Sequence, residues 1–475
     1  MRNKKSNIKT IALLFILISL GGKSQDTIFL SETEFINYLK KYHPILKSYD
    51  LITKRADENL KIAKGSLDPK LKSDISSKQF DSKNYYEHIE GALVVPTWFG
   101  PDFKLSYSDN SGTYLNNENF NPEGGLVSFG ASIPILQGTL IDERRNAIKQ
   151  SKLLVKASAA ERTSMINKFL SKAVSDYWKW YYNFHKLKQF EHGYKLSRER
   201  YFFTVERSLQ GDVAPIDSVE TSIQMQSLLI NYNQSKIDYY NSLAILNTYL
   251  WKENNMPVEF SEKIAPALYS PISMLELKDT TQKLIDWSRD NNPEIIKQNL
   301  KIEQLIIEKK FSGNNLLPKI TINYDLLGSA SNFDQGRFFN GQDYKLGGQL
   351  YFPLLLRKER GKLALTKIKL LESQYQLDQS KRNIENQLKA IINQCFVSYE
   401  LIEIQKRIVS NSKKLRDAEK IKFENGESSV FLINSRELML LNNRIKFYET
   451  LQKYRNAQIE LYLTGGNLLN QFGIN

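Results

Sequence analysis

The chain has 475 residues, 41% apolar and 25% charged, with 23 Gly, 13 Pro and a single cysteine, Cys395. This excludes collagen-like, Pro-rich and broadly disordered classes; one cysteine supplies no intramolecular disulfide, CxxC redox pair or cysteine zinc site, and the length allows about three domains. The formal charge is +14, but Arg2, Lys4, Lys5, Lys9 and Lys23 lie in a leader without acidic residues, so the mature excess is about a third smaller, and no dense basic stripe interleaved with aromatics marks a nucleic-acid groove.

Residues 1–24 join a basic start to the apolar run IALLFILISL and the small residues Gly22 and Ser24. This is the form of a secretory signal peptide cut after Ser24. The run is shorter than the roughly 20 apolar residues of a membrane span, and no cysteine follows it to carry a lipid. Beyond residue 24 no apolar stretch approaches such a span, so the mature chain is either soluble or crosses a membrane as a β-barrel.

From residue 25 the chain reads as two similar halves, 25–251 and 280–475, joined by a Pro-containing segment at 252–279. Pro44 and Pro69 are spaced as Pro293 and Pro318 are, and each pair brackets a segment of helical spacing followed by a strand. After Pro318, KITINYDLL puts Ile320, Ile322, Tyr324 and Leu326 on one face and Thr321, Asn323 and Asp325 on the other; YKLGGQLYFP is its return. In the first half the return strand is GLVSFGASIPI, with Val127, Phe129, Ala131, Ile133 and Ile135 alternating with small or polar residues. The β-hairpin regions are expected at 70–136 and 318–356. The first is longer because GALVVPTWFGPDFKLSYSDN looks like an added hairpin near 86–109. Pro134 and Pro353 close the strands and lead into long helical patterns, 139–251 and 361–464.

No Gly or Pro occurs between Gly361 and Gly426, and apolar residues fall at Ile384, Leu388, Ile391, Cys395, Tyr399 and Ile402. Those steps predict a helix of roughly 100 Å at 1.5 Å per residue. The first half has the same element from Gly138 to Gly211, interrupted only by Gly193, and second helices of about 40 residues follow both turns. Helices this long need partners along their length, and four principal strands cannot close a barrel alone. Four from each of three chains make twelve, with alternating faces suited to lipid outside and water inside.

With these features the chain resembles the outer-membrane efflux protein family, the TolC-like trimeric channel-tunnels, over about residues 25–475. The resemblance rests on the duplicated element order, on Pro134 and Pro353, and on two glycine turns, SLQGDVAPIDSVETS at 208–222 and FENGESSVFLINSREL at 423–438. It implies a mainly α fold with a β-barrel part: a homotrimer with a twelve-stranded barrel in outer-membrane lipid, continued by a periplasmic α-helical barrel. The turns would form a closed tip that meets a periplasmic adaptor coupled to an inner-membrane transporter. Gly211 and Gly426 match the turn glycines of relatives, and Asp217 matches a gate carboxylate. The second copy departs: Leu432 and Ser435 stand where relatives often carry acidic gate residues, Phe423 where a tyrosine would be, and Ser428 replaces a common basic residue. Asp212 and Glu427, one residue after each glycine, are then candidate tip carboxylates, with Arg436 as partner to one of them; the alternative is that they are solvated turn residues.

The histidines, His43, His88, His185 and His192, lack zinc-helix spacing. No GxSxG, P-loop, GxGxxG or Cys/His nucleophile pair occurs, so neither enzyme, cofactor nor metal site is expected. The cluster YWKWYY, Tyr177 to Tyr182, reads as helix packing rather than a ligand grip. Trp98, Phe99, Tyr107, Tyr344 and Tyr351 lie on or near strands, and an interfacial aromatic girdle and ordinary strand packing both fit them. Two functions remain: a passive gated outer-membrane conduit for efflux or type I secretion, and a soluble periplasmic coiled-coil scaffold or adaptor without a pore. A scaffold has no need of lipid-facing alternation.

Overall fold

The computed structural model describes residues 28–259, 264–269, 274–331, 339 and 341–473; the expected signal peptide lies outside them. In chain order the elements are β1 (Ile28–Leu30), α1 (Glu32–Tyr42), α2 (Pro44–Lys64), β2 (Lys70–Phe80), β3 (Lys83–Pro96), β4 (Asp102–Ser111), β5 (Leu126–Pro134), α3 (Glu143–Leu209) and α4 (Pro215–Asn247). Then come β6 (Trp251–Lys252), β7 (Met256–Pro257), β8 (Ile264–Pro266), α5 (Met274–Asn291), α6 (Pro293–Asn314), β9 (Lys319–Ser329), β10 (Tyr344–Tyr351), α7 (Arg357–Glu424), α8 (Val430–Gly465) and α9 (Leu468–Gln471). The two long helices run 67 and 68 residues.

Local chemistry sets the helix starts. Ser31 and Glu34 form a reciprocal capping box on α1. Asn292 accepts from the Glu294 amide ahead of α6, and Pro293 and Pro215 open α6 and α4, where a missing N–H costs nothing. The 252–279 segment carries more structure than a linker: β6 pairs with β7, β8 pairs in parallel with β1, and α5 begins within it.

The chain divides into two compact units that cut across the sequential halves. One takes the chain up to His43, Ala173–Ser273 and Val397–Asn456; the other takes Pro44–Lys172, Met274–Phe396 and Ala457–Asn475. In the first unit Tyr177, Trp178, Trp180 and Tyr181 are buried. Phe35 stacks on Tyr177, whose hydroxyl donates to the Leu30 carbonyl at 2.8 Å. Arg455 lies across the faces of Trp178 and Tyr269 and meets both oxygens of Glu32 at 2.5 and 2.6 Å. The YWKWYY cluster is therefore core, as its helical spacing predicts. Gly193 lies where α3 meets α8, and a Cβ there would stand 2.4 Å from Leu441 Cδ1.

The second unit holds one antiparallel sheet in the order β10-β9-β5-β4-β3-β2. The added hairpin expected near 86–109 is present. The segment at 86–109 lies in the antiparallel hairpin of β3 and β4, which stands between β2 and β5 with β3 paired to β4 from Glu87↔Ser111 to Pro96↔Asp102. With the four principal strands, the hairpin brings the sheet to six. The insertion is stable because its apolar residues fall into the same ladders as those of its neighbours.

Candidate functional site

Register determines what the sheet can do. One ladder crosses all six strands as Leu71, Leu93, Leu105, Phe129, Leu326 and Tyr344. The next on the same face carries Val95, Phe103, Ala131, Tyr324 and Leu346. These side chains are largely unburied: Leu105, Phe129, Tyr324 and Leu346 are all exposed. The opposite face is polar. Lys104 pairs with Glu90 at 2.8 Å, Ser106 and Ser128 share a 2.6 Å hydrogen bond, and His88 bonds Asn110. Side chains alternate with period two, so a single register makes one continuous face apolar and the other wet.

The end of the sheet that joins the helices is clamped. Arg144, just inside α3, reaches Asp102 at the start of β4 at 2.8 Å and Asp142 at 3.2 Å. Burial opposes the charge on Asp142, yet the Arg145 amide and the two guanidiniums hold its carboxyl below the usual range. Asn314 at the end of α6 donates to the Ile141 carbonyl, and Gln137 to Asn315.

The five candidate girdle aromatics divide. Trp98 and Phe99 sit together, exposed, in the β3–β4 turn at the helix-proximal end, where Gly100 supplies φ +124°. Tyr107 and Tyr344 lie on the apolar face toward the opposite end, Tyr344 stacking on Tyr324. Tyr351 pairs with Lys319 and so shares the polar face of β10 with Lys345 and Gln349, not the apolar one.

In the other unit the two glycine turns are built alike. Gly211 and Gly426 have φ +85° and +79°. The Gly211 amide donates to Ser208 and the Asp212 amide to Arg207; the Gly426 amide donates to Phe423 and the Glu427 amide to Lys422. These are two Schellman caps, in which the left-handed glycine lets the chain satisfy the last carbonyls and turn away. Asp217 lies in the first turn of α4, where the helix dipole favours a carboxylate. Phe423 is half-buried in the last turn of α7, and Glu427 is exposed.

Arg436 does not reach Asp212 or Glu427. Its Nε lies 3.8 Å from Glu419 on α7, which also accepts from Ser428 at 2.5 Å, because the first turns of α8 present Arg436 to α7 while Glu427 points outward to solvent. Asp212 is instead 3.8 Å from Arg207 on its own turn. The structure adds a cluster that sequence reasoning missed: Arg200 on α3 makes a bidentate pair with Glu437 at 2.7 and 2.8 Å and also donates to Asn434 at 2.5 Å. Both charged side chains are mostly buried, which makes this the strong form of such a pair.

No family model matches the chain, and no curated protein sequence matches it. Solved structures do. The Campylobacter jejuni CmeC outer membrane channel aligns with a TM-score of 0.64 at 14% identity, covering 92% of this chain and 86% of its own. The Vibrio cholerae outer membrane protein VceC gives 0.64 at 11%, covering 91% and 96%. The open state of the Neisseria gonorrhoeae MtrE outer membrane channel gives 0.63 at 11%, covering 94% of each chain. The chain has the TolC-like outer-membrane channel fold. The likeness spans nearly the whole chain.

Proposed function

We propose that the chain is one subunit of a trimeric outer-membrane channel, a passive gated conduit of an efflux or type I secretion system. Its sheet contributes to a membrane β-barrel, and its helices continue the conduit into the periplasm. A periplasmic adaptor contacts the two tips, and an inner-membrane transporter supplies the energy. The observation that carries this reading is the exposed apolar face shared by all six strands opposite a charged one, which suits lipid on one side and water on the other. In this reading Trp98 and Phe99 at one end and Tyr107 and Tyr344 at the other sit at the two membrane interfaces.

In this reading the tips gate the conduit. Arg200 ties α3 to α8, and Glu419 ties α7 to α8 through Arg436. Opening moves the α7–α8 pair about Gly426 and separates these ties. Asp217 and Glu427 supply the tip carboxylates available to an adaptor or a cation.

The test is membrane fractionation followed by planar-bilayer conductance of the detergent-purified protein. Outer-membrane enrichment with a small, rarely open conductance is expected. A water-soluble periplasmic protein without conductance would replace this reading with the scaffold. Glu437→Gln should raise the open fraction several-fold while leaving the fully open conductance unchanged, and Asp217→Ala with Glu427→Ala should change conductance or its cation dependence. An unchanged trace in both would remove the gate assignment.

A further inference from the structure

The wet face of the sheet is not evenly charged. Side chains directly opposite one another on neighbouring strands form ladders that run across the strands. One such ladder on this face reads Lys70, Val94, Lys104, Gly130, Asp325 and Lys345 from β2 to β10, so lysines outnumber its single carboxylate. Lys72 follows Lys70 on the same face of β2. Lys70, Lys72 and Lys345 are exposed, and among the described residues they make no ion pair.

The carboxylates on this face leave that charge standing. Glu90 is taken by Lys104 at 2.8 Å and Asp102 by Arg144 at 2.8 Å. Asp74 lies opposite Glu90, further along β2. Asp325 stands on the ladder itself, but Gly130 opposite it has no side chain, and a Cβ there would collide with Asp325 Oδ1. The carboxylate therefore leans toward β5 and away from β10, where Lys345 is its direct cross-strand neighbour. What remains is a neutral Lys104–Glu90 pair flanked by free cations on β2 and β10.

A ladder crosses the strands, so where the wet face lines a water path the ladder runs around that path and a passing solute must cross it. Rings of charged side chains sort ions by sign, and lysine or arginine rings select anions. Lys70 and Lys72 are about 7 Å apart along β2. That is inside the screening length of about 10 Å at 0.1 M salt, so the two act together and reach well into the water beside them. We propose that Lys70, Lys72 and Lys345 form an anion filter in the wall of the conduit, favouring anionic solutes, carboxylates and phosphates among them, over cations. This rests on the channel reading above and adds its solute class. The competing account is that these lysines only solvate a wet surface, in which case removing them leaves ion preference where it was.

Reversal potentials of single channels of the full-length protein in a KCl gradient at low salt separate the two. The unmodified channel should favour chloride over potassium several-fold, and Lys70→Gln, Lys72→Gln and Lys345→Gln combined should bring the ratio close to one. Arginine at the same three positions should keep the preference, and Asp325→Asn should raise it. The preference should also fade at about 1 M salt, where the screening length falls to about 3 Å. A channel that favours potassium, or a chloride preference that survives the triple glutamine variant, overturns the proposal. If the triple variant does not reach the outer membrane, Lys72→Gln alone carries the comparison: a smaller shift toward potassium sustains the proposal and an unchanged ratio overturns it. A protein absent from the outer membrane and without conductance defeats the channel reading itself, which is a different result.

Discussion

At the scale of single residues, buried charge and buried imidazole are the consequential groups. Arg455 and Glu32 are both mostly buried, and Nη2 of Arg455 donates to both carboxylate oxygens of Glu32. Removing one partner leaves the other uncompensated in a low-dielectric core, at a cost of about 3–5 kcal/mol. Glu32→Ala should therefore lower the thermal midpoint of the helical signal by many degrees, whereas Glu58→Ala, in an exposed pair with Lys61, should not. His185 stacks face to face on Tyr448 at 4.0 Å, and burial pushes its imidazole down to about 4 from 6.5. Burial lowers His43 to about 4 as well, with the Thr248 backbone opposing. Between pH 6.5 and 4 the unfolded chain binds more protons than the folded one, so stability is complete above 6.5 and falls as pH drops through that window. Circular-dichroism melts across this range should show the loss, and His185→Phe should reduce it; an equal slope in the variant would exclude His185 as the cause.

At the scale of elements, two glycines show how close approach and chain reversal are obtained. Gly130 on β5 faces Asp325 of β9: a Cβ there would lie 1.9 Å from Oδ1 and 2.6 Å from the Tyr324 carbonyl. The second of these is backbone in the ladder joining the two halves of the chain, so it cannot yield cheaply. Gly130→Ala should sharply reduce folded, heat-resistant oligomer in the membrane fraction. Gly91→Ala, where a Cβ meets nothing within 4 Å, should leave it intact. Gly426 needs its freedom for a different reason: space around it is open, but its positive φ carries the Schellman cap.

At the scale of the whole molecule, the sheet's two faces predict opposite responses to one charge. Leu105→Arg places a guanidinium on the apolar ladder, where it costs about 2–4 kcal/mol at the bilayer midplane. Outer-membrane assembly should fall accordingly. Gln349→Arg, on the polar face, should assemble normally and shift ion selectivity toward anions. Equal assembly of both variants would mean that the apolar face does not meet lipid.

Much of this was legible in the amino-acid order, and the physical dividing line is the range of the interactions involved. Period-two and period-3.6 patterns, Pro134, Pro215, Pro293 and the two capping glycines act on their own segment, so the strands, the long helices and both Schellman turns follow from local spacing. The faces of β5 and β9 were readable for the same reason. What folding alone decided depends on which distant segment lies alongside. The 86–109 hairpin was readable from its own spacing, but only its register with β2 and β5 makes it part of one sheet. Arg436 had nearby carboxylates in sequence but turns to Glu419, and Arg200 meets a glutamate 237 residues away with no local mark on either. Ion pairs are made by packing geometry, which one-dimensional spacing does not encode.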